Sequence, residues 1–504
     1  MNRRLTERGI APIAVNDSPI FFLVCGLPRV AFQVAERMAD DGVYVNCSVY
    51  PTVPMARAGI RFTITAAHSF EELDHAIDRL AVHLPTVREE EGVTDAELTA
   101  RFDRALPAES SGRPVSVRPL LTVETLSTIH SVNRQLWNGL LGTGANCSWD
   151  AMAAVERVYH ARNPLPEHRW ELKYVLVRDA GRRVVAATFL TTHLHKDDMM
   201  SRAEVSAEVE RRRAADPYFL TSKVVQLGCN LSEGRHLYLD RSGPWKEALA
   251  LVLAAAEAEV ERAGATGLIV RDLPDGDTEL DAYMLERGLS RVPALDSHIL
   301  DLGGETEDAW FAGLKRKAKQ QLRDVRGKAD RFELTFHGAG LAPLGAEDAA
   351  YLHALYRSLA ARKLKLNVFT FPDRLLPELS QSSAWEIGVL RIPVADGGPA
   401  HGRPVAFWAA HREESHYAPL FCGFDQPFMA SHATYRQMLW QIVRRARALG
   451  STTLHLGMDA DIEKHRFGAR AVSTCIYVRA AEHYQGARLR EIVAEVATRD
   501  LAAK

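Results

Sequence analysis

The first ninety residues alternate short apolar runs with amphipathic segments. The apolar run IFFLVCG at 20–26 ends in a glycine and predicts a buried strand. Apolar residues at positions 30, 34 and 38, followed by Gly42, predict a helix that ends at that glycine. In GIRFTIT, at 59–65, apolar side chains at even positions alternate with polar side chains at odd positions. This alternation predicts a strand with one buried face.

A second helix is predicted directly after that strand. Ser69 and Glu72 have the spacing of a capping box, in which each side chain accepts a hydrogen bond from the other residue's backbone N–H. The residues that we expect this helix to bury recur at helical spacing: Phe70, Leu73, Ile77, Leu80 and Leu84. Together these elements predict a small α/β unit.

One order of elements occurs twice in the rest of the chain: strand, turn, long helix, strand, short helix, strand. The segments of the first copy are KVVQLGCN (223–230), DRSGPW (240–245), a helix at 246–264, TGLIVRDL (266–273), a helix at 278–288 and SHILDL (297–302). Those of the second copy are YAPLFCGFD (417–425), QPFMAS (426–431), a helix at 432–450, STTLHLGM (451–458), DIEKHRFG (461–468) and VSTCIYVRA (472–480). We predict 297–302 and 472–480 as the final strands of their own copies.

These patterns predict a mixed α/β fold class (α/β with α+β character) and divide the chain into six segments. The predicted segments are a small domain at 1–85, a spacer at 86–115, the first copy at 116–305, a basic helical connector at 306–335, the second copy at 336–485 and a C-terminal helix at 486–504.

Composition narrows the function classes. The 504 residues are 47% hydrophobic and 25% charged, with a formal net charge of −2, which is typical of globular proteins and argues against DNA as a partner. No apolar run reaches the about 18 residues that a membrane span needs, and the N-terminus lacks the apolar core of a signal peptide. The six cysteines are widely spaced, as in a reduced cytoplasmic protein. The basic stretch at 315–323 would permit peripheral contact with the inner membrane surface or with an acidic carrier protein.

A possible metal cluster occurs in HLHKDD at 193–198. His193 and His195 have the His-x-His spacing that can ligate zinc on a strand, and Asp197 and Asp198 follow. A distant cysteine or histidine partner is not evident from the sequence. We therefore predict a polar strand end and no metal site.

The first unit resembles the C-terminal domain of the α-oxoamine synthases, through GVYVN (42–46), YPTVP (50–54) and GIRFTITAAHSFEELDHAI (59–77). These pyridoxal-phosphate (PLP) enzymes, which include serine palmitoyltransferase, condense an amino acid with an acyl thioester. The resemblance implies that Arg61 holds a substrate carboxylate, for which a planar guanidinium is suited. The Schiff-base lysine setting of the family is missing, and Lys223 is interpreted as a strand residue. The resemblance therefore implies PLP only through a separately encoded partner chain.

The repeated element order resembles that of the GNAT acyltransferases, and the tandem copies resemble the FemA/FemX-like branch of that superfamily. The stretch that carries most of this resemblance is ALGSTTLHLGMDADIEKHRFGA at 448–469, while 309–336 resembles the segment that joins the copies. In such enzymes the start of the long helix cradles the donor's phosphates. The usual Q/R-x-x-G-x-G/A turn is absent from both copies.

The resemblance and the chemistry of amine acylation suggest candidate catalytic residues in the second copy. An amine must lose a proton before it attacks a thioester, so a base or a relay is needed. His411 ends a predicted strand near the expected splay between strands, and Asp459 and Lys464 match the branch's C-terminal motif in position. We predict these three as catalytic.

Candidate donor-binding residues lie around the turn before the second long helix. Asp425 and His432 flank that turn, and Ser431 and Tyr435 lie beside the predicted start of the helix. We predict that all four contact the donor, and that the first copy is mainly structural.

Three functions remain open. The first is an N-acyltransferase that moves an acyl group from acyl-CoA or an acyl-carrier protein to a primary amine, such as the sphingoid-type product of an oxoamine synthase, with no tightly bound cofactor. The second is a FemX-like transferase that uses aminoacyl-tRNA. The third is a non-catalytic subunit that completes a PLP enzyme. A long apolar tunnel would favour a lipid substrate, an aromatic-poor charged cleft would favour tRNA, and no cleft would favour the third function.

Overall fold

The computed structural model describes residues 2–10, 19–49, 52–53, 58–65, 67–94, 121–144, 146–304, 306–393, 402–480 and 492–493. The chain divides into two compact units, Met1–Val117 and Arg118–Lys504. From position 95 onward the predicted spacer lies outside the described residues, as does the predicted C-terminal helix except for 492–493.

The first unit is a three-stranded antiparallel sheet with helices packed on one face. Its elements are α1 Asn2–Glu7, β1 Ile20–Gly26, α2 Pro28–Asp40, β2 Asn46–Ser48, β3 Ala58–Thr63 and α3 Phe70–Glu90. The strand order is β1-β3-β2. Ile60 and Phe62 on β3 are buried with Val34 of α2 and Leu80 of α3, while Arg61 is exposed. The predicted alternation along this strand is thus present in the structure.

The start of α3 confirms the capping box but corrects one burial prediction. The Glu72 backbone N–H donates to Ser69 Oγ over 3.1 Å, and the Ser69 N–H donates to Glu72 Oε2 over 2.7 Å. Ile77, Leu80 and Leu84 are buried as predicted and Leu73 is partly buried, but Phe70 is 88% exposed. As the first residue of the helix, Phe70 lies before the turn that packs on the sheet, so helical spacing alone assigned it wrongly.

The second unit contains both copies, here named the first repeat and the second repeat. The elements of the first repeat are β4 Thr122–Leu126, α4 Arg134–Leu141, α5 Trp149–Val158, β5 Glu171–Arg178, β6 Val184–Lys196, α6 Ala203–Arg213, β7 Thr221–Leu227, β8 Leu237–Leu239, α7 Trp245–Ala263, β9 Gly267–Pro274, α8 Thr278–Glu286, β10 Ser290–Pro293 and β11 Ser297–Asp301. The connecting helices are α9 Glu307–Gly313 and α10 Arg316–Lys328. The elements of the second repeat are β12 Glu333–Gly338, α11 Ala346–Ala360, α12 Leu375–Leu379, β13 Trp385–Arg391, β14 Pro404–Arg412, β15 His416–Phe424, α13 Pro427–His432, α14 Thr434–Ala448, β16 Thr453–Met458, α15 Asp461–Arg466, β17 Arg470–Val472 and β18 Thr474–Ala480.

The two repeats exchange their final strands. Strand β11 of the first repeat pairs with β16 and β17, so the second sheet has the order β12-β13-β14-β15-β16-β11-β17. Strand β18 of the second repeat pairs with β9 and β10 in the sheet ordered β10-β18-β9-β7-β6-β5-β4, to which β8 is attached through β6. The final strands at 297–302 and 472–480 therefore complete the other repeat's sheet, because an apolar pattern specifies burial but not the pairing partner.

The second sheet has a different helix on each face. Trp408 of β14 belongs to a cluster with Met438 and Ile442 of α14. Its neighbour Phe407 belongs to a separate cluster with Tyr356 of α11. These two faces are called the α14 face and the α11 face below.

Candidate functional site

The candidate site lies where two parallel strands of the second sheet diverge. Strands β15 and β16 pair only at His416–Thr453 and Tyr417–Leu454. Beyond these pairs the strands separate, and a bulge at Leu420 shifts the register of β15 against β14. A cavity of about 930 Å³ occupies the gap.

Most of the cavity lining is apolar and comes from the second repeat. Side chains from both faces of the sheet contribute, and the aliphatic and aromatic ones are Tyr356, Leu359, Ala360, Leu366, Val368, Phe371, Trp408, Leu420, Phe421, Phe424, Met429, Tyr435, Met438, Leu439, Ile442, Leu456, Met458 and Ile462. The cavity thus reaches both the α11 face and the α14 face through the splay.

The first repeat contributes a polar wall to this cavity. Asn230, Ser232, Glu233 and Arg271 line it. Arg271 is fixed by hydrogen bonds from Nη1 to the Cys229 carbonyl (3.2 Å) and to Asn230 Oδ1 (2.9 Å). The site is therefore built across the two repeats.

Glu233 is the buried carboxyl group of the polar wall. Its side chain accepts a 2.5 Å hydrogen bond from Ser297 Oγ, and its residue exposure is 8%. His455 Nδ1 lies 3.9 Å from Glu233 Oε1, and the other nitrogen, Nε2, lies 3.3 Å from Ser297 Oγ. Burial raises the pKa of Glu233 and lowers the pKa of His455 to about 4. Ser297 is on the exchanged strand β11, so the strand exchange places the hydroxyl that holds Glu233.

Lys464 is a buried cation that lines the same cavity. Its Nζ donates to the carbonyl oxygens of Gly457 (2.8 Å) and Met458 (2.6 Å), and only 4% of the residue is exposed. Burial lowers the pKa of Lys464 to about 8, although the negative charges of Glu233 and Asp459 act in the opposite direction. Two of the three N–H bonds are thus used to hold the end of β16, and one remains for a ligand.

Asp459 lies at the rim of the cavity in a left-handed backbone conformation, with φ +61°. Its carboxylate oxygens lie 3.6 Å from both Lys363 Nζ and Lys365 Nζ. Burial acts to raise the pKa of Asp459, but the Ala460 N–H and the neighbouring lysines outweigh it and lower the pKa. Asp459 is therefore an ionised group that shapes the turn and the entrance.

The structure does not bring His411 to this cavity. His411 is fully buried elsewhere, with Nε2 2.9 Å from Ser148 Oγ and Nδ1 3.2 Å from Glu413 Oε1. Its ring also packs edge-on against Trp385. Burial lowers the pKa of His411 to about 3. The expectation that His411 faces the splay is corrected, because its side chain instead joins the two repeats through Ser148.

Of the predicted donor-binding residues, Tyr435 lines the cavity and packs against Phe424, with 5.9 Å between ring centroids. Ser431 Oγ contacts its neighbour His432 at Nδ1 over 2.9 Å, and neither residue lines the cavity. Asp425 accepts a long 3.4 Å hydrogen bond from the Tyr351 hydroxyl and also lies outside the lining.

The turn expected to cradle phosphates is filled by α13. The Thr434 hydroxyl at the start of α14 donates to the Phe428 carbonyl over 2.7 Å, and Ala433 between the helices has φ +49°. An extra helical turn thus takes the place of a glycine-rich loop, in agreement with the absent glycine motif.

The polar cluster at 193–198 has internal partners. His193 Nε2 lies 3.1 Å from Gln226 Oε1, Asp198 pairs with Arg213 over 2.6 Å, and Ser222 Oγ donates to Asp197 over 2.9 Å. Burial lowers the pKa of His193 to about 4. Among the described residues, no group of three or more potential ligands has a metal-binding arrangement.

In the first unit, Arg61 projects from the exposed face of β3, paired across the sheet with Phe22 and Asn46. Residues 1–117 contain no lysine. This unit therefore has no residue that could form a Schiff base with PLP.

Sequence reasoning missed the polar wall. Ser297 and His455 are polar residues inside apolar strand runs, which was a usable signal for a buried polar site. Glu233 follows β7 in the irregular segment GCNLSEGRH, and no local pattern marks it.

Residues 316–465 match the family model described as an acetyltransferase (GNAT) domain. The second repeat therefore contains a GNAT acetyltransferase domain. The predicted α/β fold class is confirmed, as is the predicted GNAT resemblance of the second copy. Among the described residues, no helix combines the length and apolarity needed to cross a membrane.

The first unit is similar to part of the oxoamine synthases, which confirms the predicted resemblance. It is 36% identical over 78 residues to an 8-amino-7-oxononanoate synthase of Symbiobacterium thermophilum, covering 16% of this chain and 20% of that protein. It is 33% identical over 78 residues to a serine palmitoyltransferase of Sphingobacterium spiritivorum, covering 16% and 19%. The chain thus spans about a fifth of the length of the curated relatives it matches.

Two solved structures align with most of the chain. FemX aligns over 70% of this chain and 96% of its own, with a TM-score of 0.47 and 11% identity. A tandem GNAT protein from the clavulanic acid biosynthesis pathway aligns over 72% and 99%, with a TM-score of 0.44 and 14% identity.

Proposed function

We propose that this protein transfers an acyl group from an acyl thioester, acyl-CoA or acyl-carrier protein, to a primary amine, with Glu233 as the general base. The observation that carries the proposal is the buried Glu233 carboxyl at the splay of the GNAT domain. A carboxyl whose pKa is raised accepts a proton from an ammonium group more readily than an exposed one.

Ser297 and His455 position this base. The Ser297 hydroxyl donates to Glu233, and the neutral imidazole of His455 lies next to both groups. Together they orient the carboxylate and leave one of its oxygens for the amine. The neutral amine then attacks: the C–N bond forms, Glu233 takes one proton from the attacking nitrogen, the C–S bond breaks, and that proton passes to the leaving thiolate.

Lys464 stabilises the transition state in this proposal. Its remaining N–H is available to the thioester carbonyl oxygen, on which negative charge develops during attack. A fixed donor in a water-poor site is effective there, because it needs no reorganisation during the reaction. Gly457 and Met458 hold the ammonium in place through their carbonyl oxygens.

The lining favours acyl transfer over the two alternatives. The cavity is rich in aromatic and aliphatic side chains, in contrast to the charged, aromatic-poor cleft expected for tRNA. A cavity with a buried carboxyl and a buried lysine also argues against a purely structural subunit. The oxoamine synthase fragment supports an amino ketone, or the amine derived from it, as the acceptor.

The test measures thiol release and amide formation when acyl-CoA and a panel of primary amines, including an α-amino ketone, are mixed with the full chain. Glu233→Gln should lower kcat/KM by about 10²–10⁴-fold, because the base is lost while the shape is kept. Glu413→Gln is the matched control, since burial likewise raises the pKa of Glu413, to about 8, and Glu413 does not line the cavity. Equal loss in both variants, or no amide from any amine with folded protein, would refute the proposal.

The exposed Arg61 of the first unit supports a second proposed activity, the completion of a PLP enzyme. Its guanidinium is exposed, no described carboxylate forms an ion pair with it, and the unit resembles the end of an oxoamine synthase. In this proposal the unit completes a separately encoded PLP-binding chain, and Arg61 binds the carboxylate of the amino acid.

Mixing the chain with a truncated synthase that lacks its small domain should restore condensation of an amino acid with acyl-CoA. Arg61→Ala should remove that activity, while Arg37→Ala, an arginine on α2 of the same unit, should not. Association without any condensation would leave the unit as a docking module only.

A further inference from the structure

We infer that both substrates carry long hydrocarbon chains, which the cavity holds on opposite faces of the second sheet, so that the product is a two-chain N-acyl lipid. The inference rests on the proposed acyl transfer and adds the substrate class. Its basis is the distribution of apolar side chains on either side of the splay.

On the α14 face the wall combines aliphatic side chains with Trp408, Phe424 and Tyr435. Met438, Leu439 and Ile442 from α14 line the cavity together with Leu456 of β16. Met429 of α13 extends this wall toward the helix start. Unbranched and branched aliphatic side chains adapt to a hydrocarbon chain without demanding a fixed polar partner.

On the α11 face the wall is aromatic. Tyr356 and Phe371 are stacked, with 5.3 Å between ring centroids and 4° between their planes. Phe421 of β15 meets Phe371 edge-on at 5.2 Å. All three line the same cavity, so a second apolar surface lies on the far side of the sheet from α14.

The two walls meet at the reacting groups. Strands β15 and β16 form only two pairs before they separate, so the sheet does not divide the cavity at the splay. Glu233 and Lys464 line the cavity with both walls. A thioester reached from one face and an amine reached from the other would therefore bring their chains in from opposite sides.

The size of the cavity agrees with two chains. At about 930 Å³ it lies near the upper end of the ~300–1,000 Å³ typical of small-molecule sites. An acetyl group and a short amine would leave most of the apolar lining without contact, although burying apolar surface is the main favourable term in binding.

The two faces also differ in how a substrate reaches them. Met429 of α13 and Tyr435 near the start of α14, the region where the GNAT resemblance implies donor binding, line the cavity on this side. We therefore assign the acyl chain to the α14 face and the chain of the amine to the α11 face.

The test is a grid of acyl-CoA donors from butanoyl to dodecanoyl against straight-chain amino alcohols over the same range. In each series kcat/KM should rise by about fourfold per methylene until the wall is filled. If one series rises and the other is flat, only one chain is bound and the inference is overturned. If both are flat but transfer occurs, the inference fails while the proposed function stands.

Two matched variants separate the faces. Met429→Trp on the α14 face should shorten the preferred acyl chain and leave the amine preference unchanged, and Ala360→Trp on the α11 face should do the reverse. Ala361→Trp, an exposed neighbour outside the lining, is the control. Met429→Phe and Ala360→Leu give smaller changes in the same directions if the tryptophan variants unfold.

The chain-length preferences of the two tryptophan variants can also contradict the inference. If both variants shorten the preferred chain of the same substrate, the cavity holds one continuous chain and the inference is overturned. Absence of transfer with every pair, in folded protein, would overturn the proposed function and the inference with it.

Discussion

The two repeats share one architecture, but their splays differ: His236 packs at the end of β7 in the first repeat, whereas the gap in the second contains the cavity. In the first repeat β7 and β9 pair at three positions, from Val225–Leu268 to Leu227–Val270. Beyond these pairs, the fully buried His236 packs on Gly228. A Cβ atom added at Gly228 would lie 3.0 Å from the imidazole ring. In the second repeat the corresponding gap between β15 and β16 contains the cavity.

The segment that packs at the splay of the first repeat also supplies a side chain to the cavity of the second repeat. Residues 228–236 place His236 against β7 and Glu233 in the cavity of the other repeat. One repeat has thus become a support that positions a side chain for the other. This modifies the expectation that the first repeat is mainly structural, since the proposed base comes from it.

After Glu233→Gln, the largest effect is expected at Lys464. Lys464→Met should lower kcat/KM by about 10²–10³-fold, because the donor to the developing oxyanion is lost. It should also reduce the free energy of unfolding by about 1–3 kcal/mol, since the Gly457 and Met458 carbonyls lose their partner. Steady-state kinetics and chemical denaturation check both. Lys363→Met is the control, because Lys363 lines the cavity with an exposed side chain. An equal loss of kcat/KM in Lys363→Met would show that the buried lysine has no special role.

The pH dependence of transfer should be bell-shaped. Burial raises the pKa of Glu233, so the base is lost as the pH falls through that raised value. Burial lowers the pKa of Lys464 to about 8, so the cation is lost as the pH rises above about 8. Below the pKa of Glu233 and above the pKa of Lys464, the rate should fall by about tenfold for each further pH unit. In Lys464→Arg the alkaline limb should move upward; an unchanged limb would assign it to another group.

Opening the first splay should affect stability more than catalysis. His236→Ala removes a buried ring and should lower the free energy of unfolding by about 2–5 kcal/mol, measured by urea denaturation. Transfer should stay much closer to wild type than in Lys464→Met. A large decrease of kcat/KM without loss of stability would show that the gap between β7 and β9 is part of the candidate site.

The smallest effect concerns the turn after β16. Asp459 has φ +61°, where asparagine is tolerated and alanine is strained. Asp459→Ala should therefore be about 1–2 kcal/mol less stable than Asp459→Asn in thermal unfolding. Equal stabilities would show that the turn relaxes. A large and equal loss in both variants relative to wild type would assign the effect to the ion pairs with Lys363 and Lys365, which both substitutions remove.

Local sequence patterns determined the elements and the general location of the site. Period-two and helical patterns predicted β1, β3 and α3, and the capping box at Ser69 is present, since such signals depend on near neighbours. The repeated order predicted two copies of one α/β architecture, which the two large sheets contain. The motif after β16 led to Asp459 and Lys464, and the start of the long helix led to Tyr435, and all three line the cavity.

Only the tertiary structure decided which strand pairs with which sheet and which carboxyl enters the cavity. The exchange of β11 and β18 and the approach of Glu233 to Ser297 join segments that are far apart in the chain. The apolar pattern of β11 is satisfied in either sheet, and the sequence around His411 does not reveal that Ser148 will meet it. Hydrophobic periodicity specifies which face of an element is buried, whereas the partner across that face depends on the packing of the whole chain.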